Sequence, residues 1–368
     1  MQQIRRFVVR LTLLLFLLSS NIEATSLAIF TYVYDGMETW DPSSIDAGIS
    51  GSEEAVIYMS EELAKLGYAV TVFGNPPANS PYRNPQANPR YIHVHEDTGQ
   101  YFDIAVSWRA PWNGLQIRNR AGKTYLWPHD TYHWRLSKEQ ILAFNDVFWL
   151  SSWQRSQWMS VNPEFEVYTN IYGNGINVEQ FSPCQERENP YSCIYGSNYA
   201  RGLELLLDVW PAVKIAYPRA QLDIYYGWEH WGLLTASKEA ALRDKIARYG
   251  SIGVKEHGKV GHQELNEAFA KASFWTYPCI YDETFCITGL RAQYAGAIPV
   301  IITSAALNET VRHGYICNSP AQYLQYLFLA MSQAHLFPAE RRSTMRYFIN
   351  EEYTWAKIAK KWSDTFWR

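Results

Sequence analysis

The chain has 368 residues, a formal net charge of −3 and 15% aromatic residues, among them 15 Trp. This composition excludes disorder as the main state, and the near-neutral balance speaks against a nucleic-acid binder, which needs a basic face for phosphates. At roughly 100–200 residues per domain the length points to about two domains, and the Trp count fits either an aromatic core or flat rings on which sugars stack.

Taken in chain order, residues 1–25 come first. Arg5 and Arg6 precede the apolar run 11–18, and the small Ala24 lies beyond it, the pattern of a signal peptide. The run is shorter than the ~20 residues of a membrane span. Three readings stand: an exported chain with a cleaved leader, a retained membrane anchor, or a mis-called start that leaves the chain cytoplasmic. Residues 26–34 (SLAIFTYVY) read as a buried strand. A Gly/Ser loop runs from Gly48 to Ser52. Val56, Met59, Leu63 and Leu66 then predict a helix over 53–66, stopped by Gly67, with a strand at 69–73. Strand, glycine loop, helix and strand form the unit of a parallel sheet. Buried strands are expected at 104–108, 124–127 and 146–150, and the proline-rich 76–89 as an irregular loop.

A break at 182–192 opens a second half of the same kind. Strands are expected at 193–195, 222–226, 274–277 and 298–302, and helices at 201–216, 264–272 and within 283–294. The tail 354–366 puts Trp355, Ile358, Ala359, Trp362 and Phe366 on one helical face, with Thr354 as N-cap. Two α/β halves predict two domains around a cleft, with ligands beyond the C-terminal ends of the strands. Residues 26–180 hold 10 basic and 17 acidic groups, whereas 181–368 hold 20 and 18, so an anionic co-substrate prefers the second half. The five cysteines (184, 193, 279, 286, 317) are too sparse for a disulfide framework and contain no CxxC pair, which argues against a structural zinc site.

Two segments of the second half carry chemistry. In CIYGSNYARG (193–202) a strand and a polar turn lead to Arg201-Gly202 at a helix start. Free N–H groups and a guanidinium there suit a pyrophosphate, although a solvated Arg is the simpler account of that segment taken alone. The other is YPCIYDETFCITGLRAQYAG (277–296). With Ala297-Ile298-Pro299-Val300 after it, this segment resembles the signature of retaining glycosyltransferases of family four. Other blocks match in order: Ser50-Gly51-Ser52-Glu53, Trp127-Pro128-His129-Asp130, Asn174-Gly175-Ile176-Asn177 with Phe181, Tyr199-Ala200-Arg201-Gly202-Leu203, Trp210-Pro211, Tyr226-Gly227-Trp228, His257-Gly258-Lys259-Val260-Gly261 and Tyr353-Thr354-Trp355. The likeness spans about residues 26–368.

The resemblance implies the GT-B fold: two Rossmann-like parallel-sheet domains facing a cleft. It implies an acceptor-side domain over 26–181, a nucleotide-sugar domain over 182–344, and a terminal helix over 345–368 that crosses back to the first domain. It further implies metal-independent transfer of a hexose-type sugar from a nucleotide-sugar to a glycan, lipid or protein acceptor, with retention and without a cofactor. Any membrane contact would run through the N-terminal segment. His129 and Glu283 would be catalytic. Gly51, Ser197, Arg201, Gly202, Val260, Glu283, Thr284, Phe285, Cys286 and Arg291 would bind the donor. Trp40, Trp108 and Trp112 are the candidates for stacking on the acceptor.

Two features depart from the family pattern. Ser197 stands near where many members have a second basic residue. Arg291 stands where the family has a second Glu that grips the ribose, and an Arg accepts no hydrogen bond. Arg291 would instead bind phosphate or pair with a nearby acid. Two alternatives follow: a degenerate sugar- or nucleotide-binding protein with little turnover, or another activity on the same cleft such as a sugar-nucleotide epimerase. His129 and His133 are spaced like part of a zinc-binding HExxH, but Pro128 disfavours the helix that needs. His93 and His95 would share one face of a strand, and Trp149, Trp153 and Trp158 read as helix packing.

Overall fold

The structure, a computed structural model, describes residues 24–34, 36–228 and 233–368. The leader read over 1–25 thus lies almost wholly outside the described residues. Among the described residues, no helix is long and apolar enough to cross a membrane.

Two six-stranded sheets organise the chain. The first contains β1 (Ser26–Phe30), β2 (Ala69–Gly74), β3 (Arg90–His93), β4 (Phe102–Trp108), β5 (Ala121–Trp127) and β6 (Asp146–Val147), in the order β3-β2-β1-β4-β5-β6. The second contains β7 (Ser192–Gly196), β8 (Gln221–Tyr225), β9 (Val254–Gly258), β10 (Phe274–Tyr277), β11 (Ile298–Ile302) and β12 (Tyr315–Cys317), in the order β12-β11-β10-β7-β8-β9. Every strand pairing within the two sheets is parallel. Parallel strands are covered on both faces, so they read as apolar runs. Leu27, Ala28 and Ile29 of β1, and Val300 and Ile301 of β11, are accordingly buried.

The connecting helices are α1 (Gly51–Lys65), α2 (Ser152–Val161), α3 (Leu203–Ala216), α4 (Ala236–Tyr249), α5 (His262–Lys271), α6 (Ile287–Ala295), α7 (Pro320–Ser332), α8 (Ala339–Glu352) and α9 (Trp355–Phe366), with short helical turns between. Sequence periodicity finds α1, α3, α5 and α9 to within a few residues. The strand expected at 146–150 is only two residues long, and Trp149 beyond it makes an isolated parallel bridge with Ile171 instead. The helical region at 283–294 begins later, at Ile287, and leaves 283–286 as a loop. The tail expected as one helix from 345 is two helices, broken at Tyr353 and Thr354. Thr354 caps the second by accepting from the Lys357 N–H. His93 ends β3 and accepts from the His95 N–H in a following 3-10 turn, so the two rings do not share a strand face.

Helix α9 lies in the core of the first sheet. Trp362 stacks on Phe148 at 4.0 Å and meets Trp127 edge-on at 4.7 Å. Its start is fixed to the inter-sheet segment by backbone bonds, Ile176 N–H to Tyr353 O at 2.8 Å and Trp355 N–H to Ile176 O at 3.3 Å. Gly175 is needed beside this bond, since a Cβ there would lie 2.6 Å from the Trp355 nitrogen. Helix α9 therefore packs on the sheet that contains β1.

Candidate active site

Each sheet reverses its strand order once, at β1/β4 in the first and β7/β10 in the second. Loops leave a crevice at such a point, and ligands of open α/β sheets bind there. The loops following β1, β4, β5, β7 and β10 converge on one cavity of 320 Å³ between the sheets. Its walls include Gly51, His129, Ser197, Arg201, Glu283, Thr284, Phe285, Cys286 and Arg291.

The loop 283–286 enters the N-terminus of α6, where unpaired N–H groups and the helix dipole favour an anion. Cys286 is the N-cap, and its sulfur accepts from the Gly289 N–H at 3.3 Å. Burial pushes its thiol far above the usual range, so it stays neutral. Arg201 reaches the same place from the loop after β7. Its Nη1 lies 3.0 Å from Glu283 Oε1, and its guanidinium lies 4.4 Å from the centre of the Tyr281 ring. Tyr277 also donates to Glu283 Oε1, and Ser197 donates to Tyr277 at 3.1 Å. Burial works against the charge on Arg201, but Glu283 and the tyrosines around it hold its pKa above the ordinary value. Gly202 permits this turn. Its φ is +111°, and a Cβ would meet the Pro278 carbonyl at 2.2 Å.

The first domain contributes the facing wall. His129 follows β5 and is 8% exposed, with Trp127 at 4.6 Å and Trp108 at 5.6 Å. Burial, and then the charge of Arg109, holds its pKa well below the usual imidazole value, so the ring is neutral. Its Nε2 is buried and has no hydrogen-bond partner among the described residues. Thr284 donates to the His129 carbonyl at 2.8 Å, and Ser151 donates to the Thr284 carbonyl at 2.7 Å. These two bonds tie the walls together across the cleft.

Several cavity residues carry no sequence signature. Arg109, at φ +65°, pairs with Asp130 through two bonds of 2.6 and 2.7 Å. Beside Arg201 and Arg291 it brings to the cavity a further guanidinium, of the kind Ser197 lacks, but from the first domain. Glu54 of α1 and His262 of α5 also line the cavity. Arg291 is not a free cation: its Nη2 lies 2.9 Å from Glu54 Oε1, and its Nη1 donates to Asn266 Oδ1. Of the two expectations for Arg291, pairing with an acid is the one observed.

The stacking candidates need correction. Trp108 is fully buried beneath Arg109 and His129, and Trp40 is only 3% exposed, so neither offers a ring face to a sugar. Trp112 is 43% exposed but meets Tyr32 edge-on outside the cavity. Gly202 and Val260 shape the loops without lining the cavity. The Val260 carbonyl sits where a Gly48 Cβ would fall, at 2.4 Å, so glycine there lets the first-domain loop seat on the second domain. His129 and His133 are not on a helix. Among the described residues no group of three His, Cys, Asp or Glu side chains could hold a metal ion.

No protein-family model and no curated protein sequence matches this chain. Solved structures match it in fold. Sucrose-phosphate synthase from Thermosynechococcus elongatus aligns with a TM-score of 0.71 at 14% identity, over 93% of this chain and 98% of that one. A glycosyltransferase from Rickettsia africae gives 0.72 at 12% identity, over 94% and 98%. HepE from Anabaena, in complex with UDP-glucose, gives 0.66 at 14% identity, over 92% and 98%. At such identities the likeness establishes the fold, and that fold is GT-B.

Proposed function

We propose that this GT-B chain is a nucleotide-sugar-dependent glycosyltransferase of the retaining family-four type, moving a hexose-type sugar to a hydroxyl acceptor. One observation carries the reading. Arg201, Glu283 and the N-terminus of α6 converge in the cleft, opposite a buried neutral His129. The neighbouring structures were solved with UDP or UDP-glucose bound in the case of HepE, which supports a nucleotide-sugar donor.

The chemistry follows from the parts. Breaking the bond between the anomeric carbon and the diphosphate leaves negative charge on the phosphate oxygens. Preorganised donors aimed at developing charge are the largest single source of rate acceleration. Arg201 and the N–H groups at the start of α6 supply them, so the reading is metal-independent and needs no cofactor. Glu283, fixed by Arg201 and Tyr277, accepts from hydroxyls of the transferred sugar. Neutral His129 presents a ring nitrogen to the sugar without adding a positive charge. The second reading, a degenerate binder, follows from the missing acid at position 291. Glu54 beside Arg291 keeps a carboxylate in the cavity and weighs against it.

Incubation with a panel of nucleotide sugars tests this, with product configuration followed by proton NMR. The expected result is turnover of at least one donor with the anomeric configuration retained. An inverted product overturns the mechanism, and neither turnover nor binding of any donor overturns the function.

A further inference from the structure

The ion pair between Arg291 and Glu54 joins the two domains at the cavity wall. Glu54 lies in the first turn of α1 and Arg291 just past the first turn of α6. His262 Nδ1 is 3.7 Å from the same Glu54 oxygen, Oε1, that Arg291 approaches to 2.9 Å. All three side chains are at most 5% exposed, yet all three line the cavity. The hydrogen bond that the Glu54 carboxylate accepts falls on Oε1, and among the described residues Oε2 has no hydrogen-bond partner. A buried carboxylate is an acceptor only, and one left without donors is costly. Arg291 offsets the charge, and Oε2, which is not fully enclosed, is left open to the cavity that Glu54 lines.

We infer that Glu54, held in place by Arg291, accepts hydrogen bonds from the ribose hydroxyls of the nucleotide donor, so that the bound nucleoside bridges the two domains. This rests on the transferase reading above. The position along α6 selects ribose over the transferred sugar. Glu283 lies before the helix start, on the sugar side of a diphosphate bound there. Arg291 lies four residues past Ile287, about 6 Å down the helix at 1.5 Å per residue. A diphosphate at the helix start therefore has the sugar at its Glu283 end and the nucleoside at its Glu54 end. Sites built around a buried acceptor reject ligands that lack the matching hydroxyl, because the acceptor is left unpaired.

Calorimetry with UDP, GDP and ADP, each beside its 2′-deoxy counterpart, tests the inference. Wild-type protein is expected to bind at least one ribonucleotide at least ~10-fold more tightly than its deoxy form. In the charge-neutral double variant Glu54→Gln/Arg291→Met the preference falls below ~3-fold, and in Glu54→Asp it is intermediate. Melting temperatures confirm that each variant is folded, and the wild-type comparison needs no variant. Equal binding of ribo and deoxy forms by the wild type overturns the inference while the transferase reading stands, as does a preference that survives in the double variant. Binding of no nucleoside diphosphate overturns both.

Discussion

A buried guanidinium needs an acid, and Arg291 finds Glu54 across the cleft at 2.9 Å, with both side chains about 5% exposed. Breaking such a pair costs about 3–5 kcal/mol, since the remaining charge is left buried. Arg291→Glu, the change that would restore the family motif, therefore places two carboxylates together. It is expected to lower the unfolding free energy by about that amount in urea titration. The swap Glu54→Arg/Arg291→Glu is expected to recover most of it, and an unaffected single variant contradicts the pairing. His129 gives a pH signature. Its folded pKa lies below the ordinary 6.5, so on acidification the unfolded chain takes up the proton first and stability falls below pH 6.5. The cost is up to about 1.4 kcal/mol per pH unit for each such group. His262, lowered chiefly by burial, adds to the fall. Glu53, raised by burial, opposes it, because its folded form holds a proton at pH values above 4.5 where the unfolded form does not. The melting temperature is expected to fall from pH 6.5 to 5, and to fall less in His129→Asn. An identical profile in that variant contradicts a neutral buried ring. At this scale Arg201 was legible as a basic residue at a helix start, and Glu283 and His129 only through the motifs that resemble family four; all three line the cavity. Glu54 carried no signal, because one more Glu on an amphipathic helix means nothing until α6 is brought against it. Trp40 and Trp108 misled because a tryptophan near a loop looks the same in sequence whether its ring is packed or displayed.

Helix α9 shows how an element can be legible while its docking site is not. Its apolar face follows from the 3.6-residue period, but nothing local says that this face covers the first sheet and not the second. The structure supplies the answer through Trp362, which packs on Phe148 and Trp127 with no exposed surface. Trp362→Ala is expected to cost about 3–5 kcal/mol in urea titration, typical of an emptied aromatic site. A loss under ~1 kcal/mol would show that the helix is not docked as described. Elements that periodicity passes over are short or start from less conspicuous signals. β3 is four residues after a proline-rich loop, β12 is three residues, and α7 opens with Pro320 in its first turn. These lie toward sheet edges or outside the cavity, so passing over them does not move the site.

At the scale of the whole molecule, two sheets with the same strand order face each other, and their switch points make one cavity. The repeated strand, loop and helix units of each half were readable, which is why the cleft was expected where it is found. The contacts that close it were not: Thr284 to His129, Ser151 to Thr284 and Glu54 to Arg291 are each more than 100 residues apart in sequence. The tryptophans counted at the outset prove to be mainly core, with Trp108, Trp127, Trp149, Trp158, Trp210, Trp275, Trp355 and Trp362 all buried. The central claim is that this cavity stabilises a departing nucleoside diphosphate through Arg201 and the start of α6. Its most direct test is release of nucleoside diphosphate from the preferred nucleotide sugar, measured for wild-type protein and Arg201→Ala. The account predicts steady release by the wild type and a loss of kcat of ~10²–10³-fold in the variant, the cost of removing one such donor. Equal release by the two proteins would contradict it.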